Sequence, residues 1–182
     1  MERRLEPAGE AASDGPAIPI VEVRRLSEEI RPERPRVILF GAGHVGQAVA
    51  RAFEPLPFQV DWLASREDLR PEAGGTRATI LSEDELEACV LAAPAGGHFV
   101  VFTHSHDLDY RLIRAILGKG DFAYAGLIGS GTKRVRFEKR LQAEGVSTER
   151  LTCPIGLPGL KSKAPAVIAV ALAAQLLQLV EG

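Results

Sequence analysis

Four short stretches of this chain carry residues able to do chemistry. Gly41-Ala-Gly-His-Val-Gly46 spells G-x-G-x-x-G. In such a turn the first glycine permits the tight bend. The second lets a phosphate approach the backbone, and the third lets a helix close on a strand. Thr103-His-Ser-His-Asp-Leu-Asp109 gathers His104, His106 and two carboxylates. Gly126-Leu-Ile-Gly-Ser-Gly-Thr-Lys133 sets small residues before a lysine, with Arg134 and Arg136 beyond. Cys153 stands in Cys-Pro-Ile-Gly.

Two histidines two apart in a loop can share a metal. The hydrolase pattern H-x-H-x-D-H needs Asp four places and His five places after its first histidine. Leu108 and Asp109 stand there instead, so no zinc centre is expected. His104 and His106 read either as donors to an anionic ligand or as structural hydrogen-bonding groups. Asp107 reads as the N-cap of the next helix. The stretch ending at Lys133 misses the P-loop, because Thr132 and Lys133 stand in reversed order and the glycine is one place early. ATP hydrolysis is rejected on that ground. An anion at this helix start remains favoured, with Gly129, Ser130 and Lys133 as candidates. The basic run that follows reads as an anion site or as a solvated face. Cys153 reads as a buried inert thiol or as a sulfur ligand or transfer site. Cys89 lies on an apolar helix face and reads as core. No nucleophile paired with a base stands out.

These groups need elements to hold them. Val37 to Phe40 are apolar, predicting a strand over 36–40, and the glycines then open a helix over 44–54. Further strands are predicted over 58–63, 77–81, 98–102 and 122–128. Ser82-Glu-Asp-Glu85 is a capping box that starts a helix running to about Ala92. A helix after the fourth strand ends near Leu117. A basic helix spans 131–144 and stops at Gly145. A short extended piece lies near Leu151, and a last helix begins after Ser162 with Pro165 in its first turn. Repeated strand–helix units predict an α/β, Rossmann-like doubly wound fold. Its sheet is mostly parallel, with helices on both faces. Ligands bind off the carboxyl ends of such strands, where loops 41–46, 103–109 and 129–133 should meet. Residues 1–16 read as a flexible tail, Ile18 to Val23 as a possible short strand, and 17–182 as a single Rossmann-like domain.

A nicotinamide site usually has Asp or Glu at the tip of strand two. The expected tip here is Ala64. Asp61 has the right count from the first glycine but falls inside the strand, unless the strand end is shifted. Arg66, just beyond, could hold a phosphate or stand solvated.

The whole chain sets further bounds. A net charge of −2 speaks against general nucleic-acid binding. The 2 cysteines match no zinc or disulfide spacing, which fits a reducing cytoplasm. The N-terminus lacks the apolar core of a signal peptide. Ala164 to Val180 is apolar but short, and carries Pro165, Gln175 and Gln178. It reads as a buried helix rather than a membrane span. Its apolar residues run most of the way round. Cover is therefore expected from the sheet on one side and from a second subunit on the other, giving a homodimer.

Phe-Gly-Ala-Gly-His-Val-Gly, Thr-His-Ser-His-Asp-Leu-Asp, Gly-Leu-Ile-Gly-Ser-x-Thr-Lys-Arg and Cys-Pro-Ile-Gly-Leu occur in this order. Together they resemble the C-terminal domain of the xanthine dehydrogenase accessory factors, the XdhC/CoxI family, over roughly residues 18–180. The resemblance implies a chaperone that binds molybdenum cofactor (molybdopterin) and protects it. It also implies help in sulfuration and in insertion into a xanthine dehydrogenase-type molybdoenzyme, with a cysteine desulfurase as a possible partner. It places phosphate and pterin over Gly41, Gly43, His44 and Gly46. The histidine loop and Ser130–Lys133 complete the pocket, and Cys153 approaches the molybdenum. On this reading the chain is an accessory factor rather than an enzyme. The alternatives are an NAD(P)-dependent oxidoreductase and a nucleotide-sensing domain. Two features depart from the family. Members commonly carry an N-terminal domain with its own cysteine motif, and here a short tail takes its place. That suggests a split form working with a separate subunit, or a degenerate paralogue. The strand-two tip, usually acidic, is Ala64.

Overall fold

The computed structural model describes residues 34–65, 72–73 and 75–182. The expected tail over 1–16, the short strand at 18–23 and Arg66 lie outside the described residues.

β1 (Arg36–Phe40) is buried from its second residue onward. Its side chains alternate between two cores: Val37 and Leu39 enter one, Ile38 and Phe40 the other. A strand apolar on both faces needs cover on both, which is what a central parallel strand receives. The glycine turn leads into α1 (His44–Phe53), and β2 (Gln59–Ala64) returns beside β1.

The third predicted strand, 77–81, is replaced by smaller pieces. β3 (Glu72–Ala73) and β4 (Thr76–Arg77) form an antiparallel ribbon of their own. β5 (Thr79–Ile80) alone joins the main sheet, against Leu63 and Ala64. Two-residue strands carry no alternation to read, so the sequence pattern merges them.

α2 (Glu83–Ala92) begins at the predicted capping box. The Glu85 N–H donates to Ser82 Oγ at 3.3 Å, and the Ser82 N–H donates to Glu85 Oε2 at 2.7 Å. β6 (His98–Val101), α3 (His106–Lys119), β7 (Tyr124–Leu127), α4 (Gly131–Ala143), β8 (Leu151–Thr152) and α5 (Pro165–Glu181) follow. The main sheet runs β5-β2-β1-β6-β7-β8, with every neighbouring pair parallel. Counted along these strands the order is 3-2-1-4-5-6, that of the dinucleotide-binding folds. The order reverses between β1 and β6, and a crevice opens there at the carboxyl edge.

α1 and α5 pack together over one face, where Val49, Phe53, Leu172 and Leu176 are buried. α2, α3 and α4 bury Leu86, Ile113 and Phe137 against the other. α5 also presents Val170 and Leu179 outward, 65% and 55% exposed. Among the described residues no helix is long and apolar enough to cross a membrane.

Candidate functional site at the carboxyl edge of the sheet

β1 delivers the glycine turn to the switch point. Gly41 sits at φ +123°, and its N–H donates to the Leu63 carbonyl at 2.8 Å. A Cβ there would lie 2.5 Å from the Phe102 carbonyl oxygen. A Cβ on Gly46 would collide with the Gly41 carbonyl, so α1 closes on the turn only because that position has no side chain. Gly43 differs from both. It is exposed, precedes α1, and a Cβ built on it meets nothing within 4 Å. Space over its backbone is free for a ligand. His44 opens α1 and is exposed.

β6 delivers the histidine loop. Ser105, not Asp107, caps α3: its hydroxyl accepts the Leu108 N–H at 3.3 Å. Asp107 instead lies in the first turn, beside the helix's positive end. Asp109 is the buried member of the loop, 1% exposed. Its Oδ1 accepts the Thr103 N–H at 3.0 Å and the Thr103 hydroxyl at 2.8 Å. Its Oδ2 receives Lys133 Nζ at 2.5 Å, and the same ammonium donates to the Ile128 carbonyl at 3.0 Å. Lys133 thus ties the loop after β6 to the loop after β7, and its charge is matched inside the protein. His104 and His106 are both exposed. His106 Nδ1 lies 2.8 Å from an Arg136 guanidinium nitrogen. A guanidinium can only donate, so Nδ1 accepts.

β7 delivers Gly129 and Ser130. Ser130 caps α4, its hydroxyl accepting the Lys133 N–H at 3.3 Å. A Cβ on Gly129 would lie 2.9 Å from Lys133 Cδ and 3.2 Å from Cys153 Sγ, so these three residues are in close contact. Cys153 is 1% exposed. Burial pushes its thiol above the usual range, and the neighbouring Lys133 and Arg134 charges offset this in part. Arg134 donates to Glu138 at 2.7 Å and to the Cys153 carbonyl at 3.1 Å.

Two spaces flank the turn. A crevice of about 90 Å³ lies among Gly41, Gly43, Ala64, Ser65, Thr103 and His104. A cavity of about 770 Å³ lies toward β7 and β8, bordered by Val45, Ser130, Cys153, Ile155 and Ile168.

Residues 37–176 match the family model of the XdhC Rossmann domain. The chain belongs to that family. It is similar to the Escherichia coli K12 protein YqeB, with 30% identity over 149 residues. That match covers 80% of this chain and 27% of YqeB, so the chain spans about a quarter of this relative. A solved structure from Bacillus halodurans, described as a xanthine dehydrogenase, superimposes with a TM-score of 0.67 at 20% identity. The match covers 81% of this chain and 43% of that one; at such identity the likeness is one of fold.

In this XdhC Rossmann domain the tip of β2 is Ala64, 3% exposed, followed by Ser65. Asp61 lies mid-strand opposite Ile38 and is ion-paired with Arg36, at the start of β1. A shifted strand end therefore does not bring Asp61 to the site. Among the described residues no His, Cys, Asp or Glu cluster could hold a metal ion.

Some of the XdhC domain's supporting residues escape sequence reasoning. The Trp62 indole donates to the Gly41 carbonyl at 2.7 Å and fixes the turn from beneath. Gln175 Oε1 accepts the Tyr124 hydroxyl at 2.7 Å and the Gly156 N–H at 2.9 Å, tethering the Cys153 loop to α5. Burial raises the Tyr124 hydroxyl's pKa, so it serves as a donor. Gln175 is one of two glutamines, with Gln178, that break the apolar run of α5, and that break is the signal the sequence carries.

Proposed function

We propose that this chain is an accessory factor that binds molybdenum cofactor. It shields the cofactor and presents it for sulfuration and for insertion into a xanthine dehydrogenase-type molybdoenzyme. One observation carries the reading. In an XdhC Rossmann domain, Gly43 offers an open phosphate approach, and Val45, two residues on, borders a cavity of about 770 Å³. A phosphorylated pterin needs both an anion site and a largely apolar slot with a few polar groups. The cavity's size falls in the range of small-ligand pockets, and Ser130, Arg134 and Gln175 stand among its apolar walls.

On this reading the open backbone N–H groups from Gly43 to Gly46, at the start of α1, receive the phosphate with the His44 side chain beside them, while Gly41, its N–H held by the Leu63 carbonyl, shapes the turn. His104, His106 and Ser130 rim the site, while Gly129 and Cys153 wall the pterin side. Lys133 works through position: held by Asp109, it keeps Gly129 and the loop after β7 in register. When bound, the molybdenum centre supplies oxygen-transfer redox chemistry for the recipient enzyme. The chain itself binds, covers and orients. The protonated thiol of Cys153 suits a wall better than a nucleophile. The proposed setting is the cytoplasm, with a cysteine desulfurase as sulfur source and a second copy meeting the outer side of α5.

A nicotinamide or sensing nucleotide is the second reading, favoured by the strand order. The Ala64–Ser65 tip offers no carboxylate to a ribose. Reconstitution separates the two. Cofactor-loaded chain should restore activity to a cofactor-free xanthine dehydrogenase-type enzyme faster than free cofactor does. Equal rates with and without the chain would contradict the proposal.

A further inference from the structure

The fixed cations at the large cavity are already engaged. Arg134 is paired with Glu138 and the Cys153 carbonyl, and Lys133, behind Gly129, is paired with Asp109. Lys161 and Lys163 border the same cavity. Both are exposed, and among the described residues neither has a hydrogen bond or ion pair.

These lysines sit on a strap, residues 157–163, that belongs to no helix or strand. The strap is fastened at both ends. Gly156 N–H donates to Gln175, and Ala164 is the N-cap of α5, its carbonyl accepting the Val167 N–H at 3.0 Å. Between them, among the described residues, no backbone–backbone hydrogen bond holds it. Gly159 reverses the chain at φ +92°, and next to it Leu160 stands 56% exposed. An exposed leucine followed by two unpaired lysines, beside a mixed polar and apolar cavity, matches an amphipathic ligand with an anionic end.

We propose that the strap closes over an anionic ligand in this cavity. Lys161 and Lys163 then close on the phosphomonoester that the glycine turn receives, and Leu160 covers the ring. The identity of the ligand as a phosphorylated pterin rests on the function proposed above; the charge logic requires only a planar phosphomonoester. Closure gives the anion the charge-assisted partners that the rigid wall withholds.

Trypsin reports on the strap directly, because it cleaves after Lys161 and Lys163. Saturating molybdenum cofactor, added anaerobically, should slow cleavage at both sites about tenfold. A Lys161→Ala/Lys163→Ala variant should keep its thermal midpoint and bind the cofactor about tenfold more weakly. Cofactor binding with unchanged cleavage, or a variant within about twofold of wild type, would overturn the strap and leave the function standing. If cofactor does not bind at all, flavin mononucleotide serves as a second planar phosphomonoester probe. Protection of the wild-type strap by it, together with binding about tenfold weaker in the double variant, would keep the strap and overturn the proposed function. No protection by either probe would overturn the strap.

Discussion

Gly43 and Gly46 lie three residues apart and do different work. A side chain at Gly46 strikes the Gly41 carbonyl, so Gly46→Ala should lower stability by about 1–3 kcal/mol through overpacking. Gly43 has open space and precedes α1, where serine is a good cap. Gly43→Ser should therefore fold normally and bind cofactor at least about tenfold more weakly, because its side chain occupies the phosphate approach. Urea melts and a binding titration on both variants check the pair. Equal loss of stability in the two would contradict it. Cys153 makes a second residue-scale prediction. Its thiol is buried and its pKa raised, so less of it is thiolate near neutrality than for an ordinary thiol. Alkylation of Cys153 should lag that of half-buried Cys89 at pH 8 and keep rising into more alkaline buffer. Fast labelling of Cys153 at neutral pH would revive it as a sulfur carrier.

At the scale of elements, the Lys133–Asp109 pair joins the start of α4 to the first turn of α3. Both partners are largely buried, so breaking the pair leaves an uncompensated charge. Lys133→Met should cost about 3 kcal/mol, and adding Asp109→Asn should restore part of it, since the amide oxygen can still accept from Thr103. A double-mutant cycle by chemical denaturation reads this; additive losses would mean that the two residues act separately. The pair also marks the limit of what the sequence reveals. Strand β1, the glycine turn and α1 are legible because alternation, glycine spacing and a helical run agree. The Ser82–Glu85 box is legible because its chemistry is local. Whether Lys133 faces a ligand or Asp109, 24 positions away in sequence, is settled only by how β6 and β7 lie together. The same holds for the Trp62 indole beneath Gly41, and for the choice of Ser105 over Asp107 as cap. β3, β4 and β5 are too short for any period to declare them.

At the scale of the whole molecule, the two cores of the described residues lie on either side of the main parallel sheet and support its carboxyl edge, and the fold's pH response follows from what it buries. His98 at the start of β6 is 6% exposed, and burial lowers its pKa; the Arg36 carbonyl near its Nδ1 offsets this in part. The unfolded chain therefore takes up this proton first as pH falls. Stability should be fully present above the ordinary histidine range and decline as pH drops through it toward the lowered native value. His98→Gln should flatten that decline between pH 7 and 5, measured as urea midpoints. An unchanged slope would assign the acid sensitivity elsewhere. The central claim concerns the open edge: an XdhC Rossmann domain whose glycine turn and neighbouring cavity hold molybdenum cofactor. Anaerobic equilibrium binding of that cofactor, with NAD(H) and NADP(H) as competitors, tests it most directly. The expected result is saturable cofactor binding that neither nicotinamide displaces. Nicotinamide binding without cofactor binding would contradict it.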